Sequence, residues 1–193
     1  MPSGLLLVTW TVVDALGYRA QTVQAFEVNT PGPCFGGIGP QGWTANPGGP
    51  LTPGVAPGGG PGSALEVQTP IGWNVLLSPT FSTNGLVIGG SNLEFDLYLP
   101  PNLAGQYWWG QVEVLISIPS ANIYHQWLGG NMNLIGSNLP LGQFSTIVTP
   151  LPANVLTALS GSHNDVTVEI DLNSPVNQPP FGPWFLQNFR FGN

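Results

Sequence analysis

Two aromatic clusters are the strongest candidates for binding chemistry in this sequence. The first follows the turn Pro100-Pro101-Asn102, and the second lies in the strand-like segment Ile123–Leu128. Aromatic rings stack on the apolar faces of sugar rings, while amide and carboxylate groups hydrogen-bond the sugar hydroxyls. The alternative is that these rings pack the ends of the fold. The candidate platform for sugar binding comprises Tyr107, Trp108, Trp109, Tyr124, His125 and Trp127.

Carboxylates are the second set of residues that could do chemistry. Glu94 and Asp96 occupy alternate positions of one predicted strand, and Glu113, Glu169 and Asp171 occupy outward positions of two others. A pair of carboxylates is what glycoside hydrolysis needs. A solvated outer face of an antiparallel sheet explains these acids better, because no hydrolase motif surrounds them. We therefore predict that the protein is not an enzyme and has no catalytic residue.

Other catalytic and metal-binding patterns have little support. The chain has two histidines, His125 and His163, and its one cysteine, Cys34, lies in a Gly/Pro-rich tract. No Gly-x-Ser-x-Gly motif is present, so a nucleophile triad is not predicted. His163, Asn164 and Asp165 could ligate a metal, but this combination is more typical of a loop turn. We predict no metal site and no cofactor.

The charge composition excludes several classes of partner. The 193 residues include only two basic residues, Arg19 and Arg190, against nine acidic ones, for a net charge of −7. Binding to nucleic acid or to an anionic membrane surface requires a basic patch, which two arginines cannot form. No apolar run approaches the ~18 residues of a spanning helix, so membrane insertion is not predicted.

Composition divides the chain into three segments. Residues 1–29 alternate in hydrophobicity and predict a β-hairpin that turns near Gly17. Residues 30–63 are rich in Gly and Pro and predict an extended tract that contains no helix and no central strand. Residues 64–193 contain nine short alternating segments separated by turn signals, which predict an antiparallel β-sandwich or jelly roll.

The predicted core can be listed from the period-2 alternation of three strands. The expected inward residues are Leu93, Phe95, Leu97, Leu99, Val112, Val114, Ile116, Ile118, Val166, Val168, Ile170 and Leu172. Trp73 and Trp184 are also expected in the core. A short helix is predicted for residues 152–159, and Leu86–Ile88 is predicted to be a strand. The fold class is thus all-β.

Residues 64–193 resemble the jelly-roll modules of bacterial extracellular proteins, of the carbohydrate-binding-module type. The segments that carry the resemblance are Leu93–Pro100, Trp109–Val114, Pro119–Tyr124, Leu139–Thr146 and Phe185–Phe191. The resemblance implies a non-catalytic module that binds polysaccharide. Gln187 stands where such modules often have an aspartate in the last strand, which argues against a structural calcium there.

The hairpin resembles the last two strands of a bacterial Ig-like HYR repeat, through Val8–Gly17 and the following Thr22-Val23. A hairpin without the rest of its sandwich leaves an apolar face and open edges. Either it folds back on its own chain or it adds strands to a second copy. The candidate residues for contacts between subunits are Leu6, Val8, Trp10, Val12, Phe26, Phe35 and Trp43.

Two functions remain after these exclusions. The first hypothesis is an extracellular bacterial surface protein that self-assembles into filaments, with residues 1–63 joining the subunits. The alternative is a carbohydrate-binding or adhesion module that recognises polysaccharide through exposed aromatic rings. The expected partners are therefore a second copy of the chain or a polysaccharide.

Overall fold

The computed structural model describes residues 4–13, 19–28, 42–46, 52–54, 64–67, 72–86, 88–103, 108–134, 139–174 and 183–192. The chain forms two compact units, Met1–Thr30 and Pro31–Asn193. The first unit contains the predicted hairpin, in which β1 (Gly4–Val13) pairs with β2 (Arg19–Val28) in antiparallel register. The described part of the chain contains no helix long and apolar enough to span a bilayer.

The second unit is an antiparallel β-sandwich of two five-stranded sheets, which confirms the predicted fold class. Sheet I has the strand order β3-β6-β11-β8-β9, and sheet II has the order β10-β7-β12-β5-β4. The strands are β3 (Thr44–Asn46), β4 (Thr52–Gly54), β5 (Ala64–Val67), β6 (Gly72–Leu77), β7 (Asn92–Tyr98), β8 (Gln111–Ile118), β9 (Ile123–Asn133), β10 (Phe144–Pro150), β11 (Thr167–Ser174) and β12 (Trp184–Gly192).

Two pieces of the Gly/Pro-rich tract belong to the sandwich rather than to a linker. β3 pairs with β6 at the edge of sheet I, and β4 pairs with β5 at the edge of sheet II. Edge strands tolerate proline because one row of their N–H groups needs no partner strand. Trp43, expected to contact another subunit, is instead 1% exposed and packs edge-on against Phe189 in its own core. Cys34 and Phe35 lie outside the described residues.

The interior contains the residues that the alternation predicted. All twelve predicted inward side chains of β7, β8, β11 and the residues adjoining them are buried, and so is Trp184. The helix α1 (Ala153–Leu159) begins after Pro152 and adds Val155 and Leu159 to the core. The predicted strand over Leu86–Ile88 is wrong at both residues that the structure describes there, Leu86 and Ile88, which lie in a loop.

The outer face of sheet II differs from the solvated face that the sequence predicts for β7. Arg190 contacts Glu94 at 2.8 Å and Asp96 at 3.7 Å, and Glu94 is only 8% exposed. The backbone bulges in β12 next to Arg190, where Asn188 adopts a left-handed φ of 55° and donates a hydrogen bond to Asp96. Tyr98, which alternation places on the same outer face as Glu94 and Asp96, is buried against Phe185. Glu94 and Asp96 therefore stabilise sheet II through their contacts with Arg190.

Two glycines at strand starts test how closely the backbone of sheet I is packed: Gly72 is the first residue of β6, and Gly110 immediately precedes β8. Gly72 and Gly110 both have left-handed φ angles, of 94° and 109°. A Cβ on Gly72 would meet nothing within 4 Å, whereas one on Gly110 would lie 2.3 Å from the carbonyl oxygen of Asn173. Gly72→Ala should thus cost about 1–2 kcal/mol of unfolding free energy from backbone strain alone. Gly110→Ala should cost about 3 kcal/mol or more, because the clash adds to the strain.

The measurement is urea unfolding of the two variants beside the wild-type chain, with thermal unfolding as a second readout. Equal losses in the two variants would show that the approach of Gly110 to Asn173 does not constrain the sheet.

Candidate functional site

The outer face of sheet I is the candidate site, and its layout follows from the pairing of four strands. One row across the sheet contains Leu77, Glu169, Leu115 and Trp127, in the order β6, β11, β8, β9. A second row, four residues along β6, begins with Trp73 and continues with Asn173 and Gln111. We call this surface, with Val75, Asp171 and Glu113 between the two rows, the open face.

Aromatic and aliphatic side chains stand at the two sides of the open face. On β6, Trp73 is 44% exposed and Leu77 is 39% exposed; on β9, Trp127 is 53% exposed. With strands about 4.8 Å apart and residues about 3.3 Å apart, the Cα atoms of Trp73 and Trp127 lie roughly 20 Å apart across the diagonal. Apolar side chains exposed on one surface are typical of an interaction site.

Trp73 is the main residue that the sequence analysis placed wrongly. Three of the four apolar residues of β6, Trp73, Val75 and Leu77, occupy alternate positions, and this pattern favours the burial of Trp73. The structure buries Asn74 and Leu76 instead. The amide of Asn74 donates hydrogen bonds to the carbonyl oxygens of Gly72 and Leu172, at 2.9 and 3.2 Å, which offsets the cost of its burial.

Polar side chains fill the centre of the open face. Glu169, Asp171 and Asn173 alternate along β11, and the side chains of Gln111 and Glu113 lie beside them on β8. Asn173 donates a hydrogen bond to the side-chain oxygen of Gln111 at 3.3 Å. A polar strip therefore runs between two apolar borders, and it offers both hydrogen-bond donors and acceptors.

A depression of about 260 Å³ lies at one end of the open face and extends across it from β6 to β9. Its lining includes Leu77, Leu115, Tyr124, His125 and Glu169. Strict alternation predicts that Tyr124 and His125 point to opposite sides of the sheet, but both line this depression. The reason is a β-bulge, in which His125 adopts a positive φ of 42° and the β8–β9 register shifts.

The carboxylates of the open face repel one another. Burial, the charges of Glu169 and Glu113 and a hydrogen bond with Glu169 together raise the pKa of Asp171 to about 7. Glu113 is the direct cross-strand partner of Asp171, and like charges in that position are unfavourable. His125 acts in the opposite direction on the pKa of Asp171, and its Nδ1 atom lies 3.5 Å from Glu169. One oxygen of Asp171, Oδ1, is buried without a hydrogen-bond partner.

A polar cluster fixes the turn that borders the depression. Asp165 accepts hydrogen bonds from the backbone N–H and the hydroxyl of Ser120, both at 2.7 Å, and this lowers the pKa of Asp165. The Ser120 hydroxyl has one proton, so His163, 2.6 Å away through Nδ1, donates to Ser120. A nucleophilic serine would need a histidine that accepts its proton. The cluster therefore positions the turn and is not a catalytic triad.

The structure brings together only part of the predicted platform. Tyr124, His125 and Trp127 lie on the open face, and Tyr124 is 64% exposed. Trp108 and Trp109 are partly buried, Trp109 packs against the core, and neither lines the depression. Tyr107 lies outside the described residues.

The carboxylates divide between the two sheets. Glu94 and Asp96 are on sheet II, whereas Glu113, Glu169 and Asp171 are on sheet I. The described residues contain no cluster of three or more His, Cys, Asp or Glu side chains that could hold a metal ion.

Two solved structures resemble this chain over most of its length. The carbohydrate-binding module CBM27-1 of Caldicellulosiruptor saccharolyticus, in complex with mannohexaose, matches with a TM-score of 0.53 and 14% identity, covering 80% of this chain and 91% of that one. The carbohydrate-binding module CBM28, specific for non-crystalline cellulose, matches with a TM-score of 0.55 and 19% identity, covering 83% and 93%. The fold is therefore the jelly-roll β-sandwich of carbohydrate-binding modules, as the resemblance in the sequence predicts.

No protein-family model matches the chain, and no curated protein sequence matches it. At these identities, the similarity to the two solved structures concerns the fold alone.

The two aspartates with shifted pKa values predict opposite effects of pH on stability. A carboxyl whose pKa is raised in the folded state stabilises that state most below its unfolded pKa of about 3.9 and loses this contribution as the pH rises through about 7. Asp171→Asn should therefore raise the melting temperature at pH 8 relative to the wild type, and the gain should shrink towards pH 4. The full shift corresponds to at most about 4 kcal/mol, and solvent at the open face reduces it.

Asp165→Asn is the matched control, because its pKa is lowered rather than raised. This variant should lower the melting temperature at pH 8, and the loss should persist down to about pH 4 and shrink only below it, because the contribution disappears as the pH falls below the unfolded pKa of about 3.9. Calorimetric scans of both variants from about pH 2 to about pH 8 measure the difference. A stability gain from Asp171→Asn that does not depend on pH would contradict the raised pKa of Asp171.

Proposed function

We propose that the open face of sheet I binds a polysaccharide and that the protein is a non-catalytic carbohydrate-binding module. The observation that carries this proposal is the exposure of Trp73, Trp127 and Tyr124 around a strip of acid and amide side chains. Rings of this kind stack on sugars, and the polar strip can hydrogen-bond hydroxyl groups. An extracellular location fits this function, since polysaccharide surfaces are met outside the cell.

The dimensions of the open face favour a chain over a single sugar. Its two tryptophans lie roughly 20 Å apart by strand geometry, which is longer than one sugar ring. The two solved structures of similar fold are named for binding mannohexaose and cellulose, which supports a polysaccharide as the ligand class.

The arrangement of the carboxylates supports binding without hydrolysis. In glycosidases the two catalytic carboxyl groups flank the scissile bond from different sides. Here Glu113, Glu169 and Asp171 all project from one face of one sheet, so a sugar chain would meet all of them from the same side. This geometry suits hydrogen bonding to hydroxyl groups and does not suit bond cleavage.

Self-assembly through residues 1–63 remains a prediction. Of its candidate contacts, Leu6, Val8, Trp10, Val12 and Phe26 belong to β1 and β2, where the structure describes the backbone pairing but not these side chains. Phe35 lies outside the described residues, and Trp43 belongs to the core. The described part of the chain favours the carbohydrate-binding function over the filament.

The proposal predicts that the exposed rings contribute to binding and not to stability. Trp73→Ala and Trp127→Ala should each weaken polysaccharide binding about tenfold, which corresponds to about 1.4 kcal/mol for a lost stacking contact. Affinity gel electrophoresis in soluble glucan, mannan and xylan measures the loss. The melting temperatures should stay close to that of the wild type, because both rings are about half exposed.

Val148→Ala is the control, since Val148 is 47% exposed but lies on β10 of sheet II. It should leave binding unchanged. Retention of full binding by both tryptophan variants would contradict the assignment of the open face. A large loss of melting temperature in either variant would show that its ring is a packing residue.

A further inference from the structure

The basic side chains of the chain are distributed in a way that bears on the ligand. Arg19 and Arg190 are its only arginines, and it has no lysine. Arg190 is on sheet II, where it already contacts Glu94 at 2.8 Å and Asp96 at 3.7 Å. Arg19 belongs to β2 of the hairpin. Among the described residues of the open face, the one basic side chain is therefore His125, and it lies beside Glu169.

The acidic side chains of the open face are concentrated where a ligand would cross it. Asp171 and Glu113 are direct cross-strand partners, and Glu169 faces the same way two residues along β11. Like charges repel in this position, and partial burial strengthens the repulsion because less water screens it. Burial first, and then the charges of Glu169 and Glu113, raise the pKa of Asp171. A further negative charge on a bound ligand would increase the repulsion.

Uncharged sugars match the same side chains well. An ionised carboxylate only accepts hydrogen bonds, and a sugar hydroxyl can donate one. The amides of Gln111 and Asn173 both donate and accept, so they can pair with hydroxyl groups in either sense. A ligand carboxylate or sulfate, in contrast, would bring acceptors to a strip that already contains three carboxyl groups.

We infer that the open face selects its polysaccharide by charge: it binds uncharged polysaccharides and excludes those that carry carboxylate or sulfate groups, with Glu113, Asp171 and Glu169 as the specificity-determining residues. This inference rests on the proposed function, because it concerns the same surface. It adds the chemical class of the ligand and names the residues that set it.

The experiment compares polysaccharides that share a backbone and differ in charge. The full chain is titrated calorimetrically with three uncharged polysaccharides: hydroxyethylcellulose, glucomannan and xylan. The charged counterparts are carboxymethylcellulose, carboxymethylated glucomannan and carboxymethylated xylan. Hydroxyethyl and carboxymethyl groups are similar in size, so the cellulose pair separates charge from bulk. For every backbone that binds, the carboxymethylated form should bind at least tenfold more weakly at about 0.01 M salt. The difference should shrink at about 1 M salt, where screening is short-ranged.

The double variant Glu113→Gln/Glu169→Gln tests the named residues. This variant should reduce the difference in affinity between the charged and uncharged polysaccharides, because it keeps the side-chain shape and removes two negative charges. Glu66→Gln is the control, because it removes a charge from β5 of sheet II. The difference in affinity between charged and uncharged polysaccharides should stay as in the wild type. If Glu66→Gln reduces this difference in affinity as much, per charge removed, as the double variant does, the net charge of the protein sets the selectivity and the open face does not.

The outcomes separate the two proposals. Binding of carboxymethylated forms as tightly as uncharged ones overturns the charge selection and leaves the carbohydrate-binding function in place. Absence of binding to all three uncharged polysaccharides overturns the carbohydrate-binding function, and the charge selection with it.

Discussion

A strand that lies between a core and solvent can bury only every second residue, and the candidate site depends on how three neighbouring strands meet this constraint. In β11 and β8 the alternate aliphatic residues face the core. The buried residues are Val168, Ile170, Val112 and Val114. The hydrogen-bonded register of β6 with β11 then places Leu76 inward and Trp73 and Leu77 outward. A shift of one residue in β6 would move the exposed ring into the core and remove one border of the site.

The burial of Asn74 is the local consequence of that constraint. A buried amide without partners would be costly, but two backbone carbonyl groups accept hydrogen bonds from it. The protein thus places a polar residue inside and three apolar residues, Trp73, Val75 and Leu77, on the outer side of the same strand. Such an inversion is expected where a surface has a function that packing alone does not require.

Charge is used differently on the two sheets, although the chain has few charges to place. On sheet II, Arg190 neutralises Glu94 and Asp96 beside a backbone bulge, so these acids stabilise the strand pairing. On sheet I, His125 is the one basic side chain near the three carboxyl groups of the open face among the described residues, and these carboxyl groups repel one another. A cluster that costs stability and lies among exposed rings is consistent with selection for recognition rather than for folding. The similarity to solved carbohydrate-binding modules is one of fold, so the case for binding rests on these side chains.

The sequence alone determined the all-β sandwich, the hairpin, the position of the short helix and the twelve core residues, because each follows from a local period of two or from turn and capping residues. It predicted Tyr124, His125 and Trp127 as candidate binding residues but placed Trp73 in the core, since the alternate apolar positions of β6 suggested the wrong side. Only the tertiary structure decided that side, separated Glu94 and Asp96 from the other acids, and brought Tyr124 and His125 into one depression. The physical reason is that strand pairing, bulges and the hydrogen bonds of a buried amide join residues far apart in the chain, and no local pattern contains them.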